Sequence, residues 1–407
     1  MIKILFTTPV LEHPPAGGPQ LRIYNTVKAL AEVCELHIFS RCNRRDIGGL
    51  DAEDYFLNFC RSFNYSPSCI RMPKNRFFRK IQALFNTLTW YHTFRDTLSI
   101  LKIIDKVNIE VIWFGYGNIS YQLIYAIRMA RPNIKIVCDT DSVWSRFIFR
   151  ELPFTKNIFR RALLRLKANR KEWEEKAMTQ LCNITTAVSE IDAGYYQSIS
   201  QGNNQIYLFP NVIDLKDYSL NSVTLFNLKK PCMFLSGTFG NKYSSMNIAA
   251  NWVLDKVLPL VQSQIPDIHL YIVGKNADIS LSDAASDYVT IIGKIPSVLP
   301  FLCHANVSLV PLMFESGTRF KILEAAVCRV PIVSTTLGAE GLPVIHDQHL
   351  FIADDDESFA SAIVEIIYDQ VKAAYLVENC YKLVEKKFSV ECLIVEANKI
   401  INKLEQT

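Results

Sequence analysis

Short apolar runs alternate along this chain with longer amphipathic stretches, and that alternation restricts the fold more than any other feature. Residues 3–8, 35–40, 111–114, 134–138 and 184–188 read as strands. They are apolar almost throughout, as strands covered on both faces must be. Residues 21–33 read as a helix with Ile23, Val27, Leu30 and Ala31 on one face. A second series begins near Pro231, with strands at 232–235, 269–273, 289–292, 307–310 and 332–334 and helices at 246–262 and 318–328. Repeated strand–helix units specify parallel sheets, and two series specify two doubly wound α/β domains. Ligands of such sheets bind beyond the carboxyl ends of the strands, so a cleft between the domains is expected.

A length of 407 residues exceeds what one core usually supports. The join is placed in QGNNQIYLFPNVID, residues 201–214, where Gly, Asn and Pro cluster. The expected domains are 1–208 and 209–388, with a terminal helix over 389–407 packing back on the first. The net charge of +4 is small and does not point to nucleic acid. No apolar run reaches the length of a membrane span, and MIKILFTTPV reads as a buried strand rather than a leader, so a cytoplasmic protein is expected. The 11 cysteines are scattered without a C-x-x-C pair and read as reduced core thiols. His346 and His349 lie in a polar loop and read as surface residues, so no metal site is expected.

The most informative stretch is VSLVPLMFESGTRFKILEAAVCR, residues 307–329. A buried strand ends at Pro311, a loop carries Ser316, Gly317 and Thr318, and a helix follows, with Ser316 or Thr318 placed to cap it. Free amides at a helix start form a phosphate cradle. Arg319 and Lys321 stand at the end where the helix dipole disfavours cations, a conflict that a bound anion removes. Glu324 sits among Phe320, Leu323, Ala325, Val327 and Cys328. A buried carboxylate needs hydrogen bonds, which a ribose could supply; the plainer alternative is a surface pair with Lys321.

SGTRFKILEAAVCRVPIVSTTLGAEGL resembles the donor-site segment of the family 4 glycosyltransferases, retaining enzymes of the GT-B fold among the glycosyl transferases group 1. That family is typified by two glutamates separated by seven residues. Glu324 matches the second, which implies ribose binding. Ser316 stands in place of the first, which normally contacts the donor sugar, and Glu315 lies beside it. Gly17 and Gly18, with Arg22, are similar to the family's N-terminal glycine loop, which approaches donor phosphate and acceptor. Phe209–Asp214 resembles its interdomain element, with Val212 at the glycine position, and a hinge near Asn211 is implied. Thr186–Glu190 is similar to its last N-domain strand. Gly237 opens the second domain as in the family, with Thr238 and Tyr243 at the positions of the phosphate-clamping arginine and lysine. The clamp is therefore expected from Lys242 with Arg319 or Lys321. Gly274, with Lys275, and Ile292–Ile295 are similar to turns lining the nucleotide base, and Gly338–Gly341 to a turn closing the same pocket.

Asp139-Thr140-Asp141 follows an apolar strand. In a different glycosyltransferase fold such a pair holds a metal, but the two-domain pattern argues against that fold. Asp141 is instead expected near the transferred sugar, or as the cap of the following helix. Residues 61–96 hold seven basic side chains and one acidic, and residues 144–176 hold ten and four. Both mix cations with aromatics and apolar residues, so 71–80 and 146–171 are expected either to contact an anionic membrane or to form solvated basic faces over the core. The resemblance implies retaining transfer from a UDP- or GDP-sugar to a glycan or lipid-linked acceptor, without a metal, in polysaccharide biosynthesis at the inner face of the cell membrane. Other readings on the same fold are a nucleotide-sugar epimerase and a catalytically silent partner protein.

Overall fold

In the computed structural model, residues 1–67, 91–200, 205–218, 228–240 and 243–406 are described. They form two compact units, Met1–Ser145 with Asn169–Pro210 and Leu393–Thr407, and Arg146–Ala168 with Asn211–Cys392. Each is built on a parallel sheet between helices.

In the first unit the strands are β1 Lys3–Thr8, β2 Glu35–Ser40, β3 Ser62–Tyr65, β4 Val111–Gly115, β5 Lys135–Asp139, β6 Ile184–Ala187 and β7 Gln205–Leu208. Their order is β3-β2-β1-β4-β5-β6-β7, all parallel, with Phe6 beside Trp113 across β1 and β4. The strand order reverses between β1 and β4, which makes their carboxyl ends the natural ligand edge. Every residue of β4 is buried, so the sheet is covered on both faces. Leu5, Ile112, Phe114, Ile124, Ile127, Ile136 and Met178 share one core cluster.

The second unit contains β8 Cys232–Ser236, β9 His269–Val273, β10 Val289–Ile292, β11 Val307–Val310, β12 Ile332–Ser334 and β13 Phe351–Ile352, in the order β10-β9-β8-β11-β12-β13. It repeats the topology of the first, with the reversal between β8 and β11. A buried helix, Phe320–Val327, follows β11.

The segment Arg146–Ala168 belongs to the second unit, whereas the sequence boundaries placed it in the first. The reason is local. Arg150 makes a two-pronged ion pair with Glu340, at 2.8 and 2.7 Å, and the Phe147 and Phe154 rings pack on Phe314 at 6.0 and 4.8 Å. At the other end, the Leu393–Thr407 part of the last helix clusters with the first unit, where Lys135 donates to the Leu404 carbonyl.

Candidate donor site

Because the second sheet is parallel, all its strand ends open on one rim. Ile295, Gly274, Gly237, the 312–319 loop and Gly338–Gly341 follow β10, β9, β8, β11 and β12 respectively, so five sequence-predicted loops meet the same edge. Gly274 is required there. Its φ is +144°, and a Cβ would stand 1.9 Å from the Gly237 carbonyl oxygen. The β8 and β9 turns therefore touch backbone to backbone. Ile295 is half-buried at the far end of the rim.

The 312–319 loop is held by its carbonyls. Arg150 donates to the Glu315 oxygen at 2.7 Å. Arg319 curls back to donate to the oxygens of Ser316 and Gly317, at 2.7 and 2.5 Å. In a trans peptide the N–H points opposite the C=O. Pinning these carbonyls turns the amides of Ser316, Gly317 and Thr318 the other way. Among the described residues, no hydrogen bond is formed by the Gly317 and Thr318 amides. Gly317, with a φ of +81°, makes the turn possible. The Glu315 carboxylate accepts from the Ser245 hydroxyl at 3.0 Å.

Neither Ser316 nor Thr318 caps the helix, contrary to expectation. The helix starts at Phe320, its N-cap is Arg319, and no side chain caps it. The Thr318 hydroxyl instead accepts from the Asn211 amide at 2.8 Å. The cradle therefore consists of backbone N–H groups at a positive helix end without a side-chain oxygen competing for them.

Lys321 points inward, its Nζ 2.9 Å from the Met246 sulfur. Burial pulls its ammonium down to about 8, and Arg319 adds to the effect against Glu315 and Glu324. Met246 also lies under Gly237, where a Cβ would come within 2.7 Å of it. Glu324 does not pair with Lys321 on the surface. It accepts from the Tyr218 hydroxyl at 2.9 Å, and burial pushes its carboxyl up despite that bond and the Lys321 charge. Tyr218 was missed because it lies 106 residues away in sequence. Burial also raises Glu340, but its bond to Arg150 and the charges of Arg150 and Arg146 hold it below the usual range. Lys242 lies outside the described residues.

The remaining predicted residues are in the first unit. Gly17 has an extended backbone, with φ 178°, and precedes a helix that begins at Gly18. Arg22 turns away from that loop into the core. It is paired with Asp139, and both are buried. Arg22 also donates to the carbonyls of Thr140 at 2.9 Å and Phe209 at 3.2 Å. The first aspartate of Asp139-Thr140-Asp141 is thus consumed by a structural ion pair. Asp141 accepts from Asn118 at 2.7 Å and from the Trp144 indole at 3.3 Å, and burial raises its carboxyl. The capping role considered for Asp141 falls to Glu175, which takes the amides of Trp144 and Ser145 at 2.8 and 3.2 Å. Among the described residues, no three His, Cys, Asp or Glu side chains gather as a metal site.

Residues 236–369, the span holding this rim, match the family description "Glycosyl transferases group 1". The chain carries a glycosyl transferases group 1 domain. The two-unit parallel α/β fold is shared with solved glycosyltransferases of the GT-B kind. Sucrose-phosphate synthase from Thermosynechococcus elongatus is similar in fold, with a TM-score of 0.69, 17% identity and 100% of both chains covered. Anabaena HepE in complex with UDP-glucose gives 0.66 and 10%, over 99% of this chain and 100% of HepE. An "uncharacterized 44.6 kDa protein in cps region" of Klebsiella pneumoniae is 28% identical over 160 residues, covering 37% of this chain and 41% of that protein. The match thus spans less than half of that relative.

Proposed function

We propose that this protein is a glycosyltransferase that moves a hexosyl group from a UDP- or GDP-sugar to a glycan or lipid-linked acceptor, with retention at the anomeric carbon and without a metal. The observation that carries the proposal is the convergence of the unpaired Gly317 and Thr318 amides and a half-buried Lys321 behind them, one helical turn before a half-buried Glu324. As the glycosidic bond breaks, negative charge accumulates on the leaving diphosphate. Amides at Gly317 and Thr318, the helix end and Lys321 are preorganised to receive it. Lys242 is assigned to the same anion, and Arg319 supports it by fixing the loop. Glu324, steadied by Tyr218, binds the ribose hydroxyls. Gly237, Gly274 and Ile295 line the nucleotide, and Ser316 faces the sugar.

Gly17, Gly18 and Asp141 are assigned to the reacting sugar and the acceptor. UDP is favoured because HepE was solved with UDP-glucose. A polysaccharide role is supported by the cps-region relative. No described helix is long and apolar enough to cross a membrane. Work on lipid-linked acceptors would take place at the inner face of the cell membrane.

A panel of nucleotide sugars assayed for slow donor hydrolysis tests the proposal. One UDP- or GDP-sugar is expected to release its diphosphate. Failure of every donor, together with no binding of UDP or GDP, would refute it. Binding without turnover on any acceptor would instead favour the silent-partner reading.

A further inference from the structure

The basic region 146–171 divides in the structure. Arg146 and Arg150 face Glu340, at 3.6 and 2.7 Å, so its first part is turned inward. The long helix Ile158–Leu181 is different. Ile158, Phe159, Leu163 and Leu166 stand 78%, 84%, 68% and 66% exposed. Phe159, Leu163 and Leu166 follow i, i+4, i+7 spacing and form one stripe. Part of the helix's apolar surface therefore stays outside the core. Its packed side is a separate stripe that includes the buried Ala168, Glu175 and Met178.

The charge around the exposed stripe is mainly positive, although Arg160 pairs with Glu151 and Arg170 and Lys171 pair with Glu174. Residues 156–171 contain seven Lys and Arg and no Asp or Glu. Lys156, Arg165 and Lys167 are exposed and, among the described residues, make no ion pair. Four large apolar side chains in water, bordered by unneutralised cations, fit an interface that is apolar within and anionic at its edge. An acidic peptide would match the charge, but an anionic bilayer supplies apolar depth under the stripe together with a dense anionic border.

We infer that residues 156–171 are a membrane-docking surface, and that the partner is an anionic lipid bilayer. The helix lies in the interface plane with Phe159, Leu163 and Leu166 below the headgroups and Lys156, Arg165 and Lys167 among the phosphates. This deepens the proposed reading by saying how the enzyme reaches a lipid-linked acceptor, yet lipid binding is measurable without any sugar. The other expected contact, residues 71–80, lies outside the described residues.

Flotation with phosphatidylcholine vesicles, with and without phosphatidylglycerol, tests the surface on the full chain. Each cation near an anionic leaflet multiplies partitioning about fivefold, so Arg165→Glu with Lys167→Glu should lower recovery with anionic vesicles by more than about tenfold. Leu163→Glu with Leu166→Glu should do the same. UDP binding by calorimetry is expected to be unchanged in both pairs, which separates failure of this surface from failure of the donor-site reading. Equal recovery with neutral and anionic vesicles, no vesicle binding by the parent chain, or a concentration-dependent dimer abolished by the Leu changes would each overturn the inference.

Discussion

Replacing Lys321 by Met is expected to stabilise the ligand-free protein while abolishing its hold on a nucleotide diphosphate. Burial lowers the Lys321 ammonium from 10.5 to about 8. A base with a depressed folded pKa weighs against folding at every pH below that folded value. The penalty is relieved as pH rises from 8 toward 10.5, because there the unfolded chain binds more protons. At pH 7 a shift of this size corresponds to about 3 kcal/mol. Methionine keeps the stem and removes the charge, and repacking against Met246 costs up to about 1.5 kcal/mol. The net gain is then about 1–3 kcal/mol, or several degrees in Tm at about 2–4 °C per kcal/mol for a unit of this size.

Calorimetric unfolding at pH 7 and pH 9.5, with and without UDP, measures both halves. The parent should gain stability relative to the Met variant on going to the higher pH. UDP should raise the Tm of the parent alone. Near pH 8, binding a diphosphate should also draw part of a proton onto Lys321, so the binding heat should vary with the ionisation enthalpy of the buffer. A Met variant that melts lower and still binds UDP like the parent would refute the reasoning, making Lys321 a packing residue rather than an anion clamp.

Arg150→Ala removes a partly exposed ion pair and the bond to the Glu315 carbonyl, which together are worth about 1–2 kcal/mol. Donor KM should rise by about tenfold or more, with Arg150→Lys restoring little because lysine cannot reproduce the fork. Tyr218→Phe leaves Glu324 with one hydrogen bond fewer in the free protein. It should raise the Glu324 pKa further and move the acid limb of UDP binding to higher pH, which a binding-versus-pH titration reads directly. Since burial already raises Glu324, nucleotide affinity should fall as pH drops through its folded pKa, and Glu324→Gln should flatten that limb. Asp141→Asn should lower kcat by at least about a hundredfold while leaving UDP affinity intact; equal losses in both would make Asp141 a scaffold residue.

Much of the fold is legible in the sequence because parallel strands covered on both faces are nearly unbroken apolar runs. Residues 269–273 and 307–310 are strands with the same bounds in the structure. The donor loop is legible because Gly317, the helix start and two misplaced cations are neighbours in sequence. What lay hidden is long-range. Arg150 reaches Glu315 across 165 residues, and Tyr218 reaches Glu324 across 106. Neither pairing leaves a local pattern. Arg22 looked like part of a glycine loop, and only the fold brings it to Asp139, 117 positions on. The expected cap failed for a long-range reason as well: Thr318 had another partner in Asn211, 107 residues away, and Arg319 took the N-cap position.

Titration of UDP and GDP into the parent protein and into Glu324→Ala, with unfolding followed on the same samples, tests the central claim most directly. The account predicts saturable binding of at least one diphosphate by the parent, and loss of at least about tenfold in affinity in the variant, with the variant still folded. Absence of binding by the parent, or undiminished binding by a folded Glu324→Ala, would contradict it.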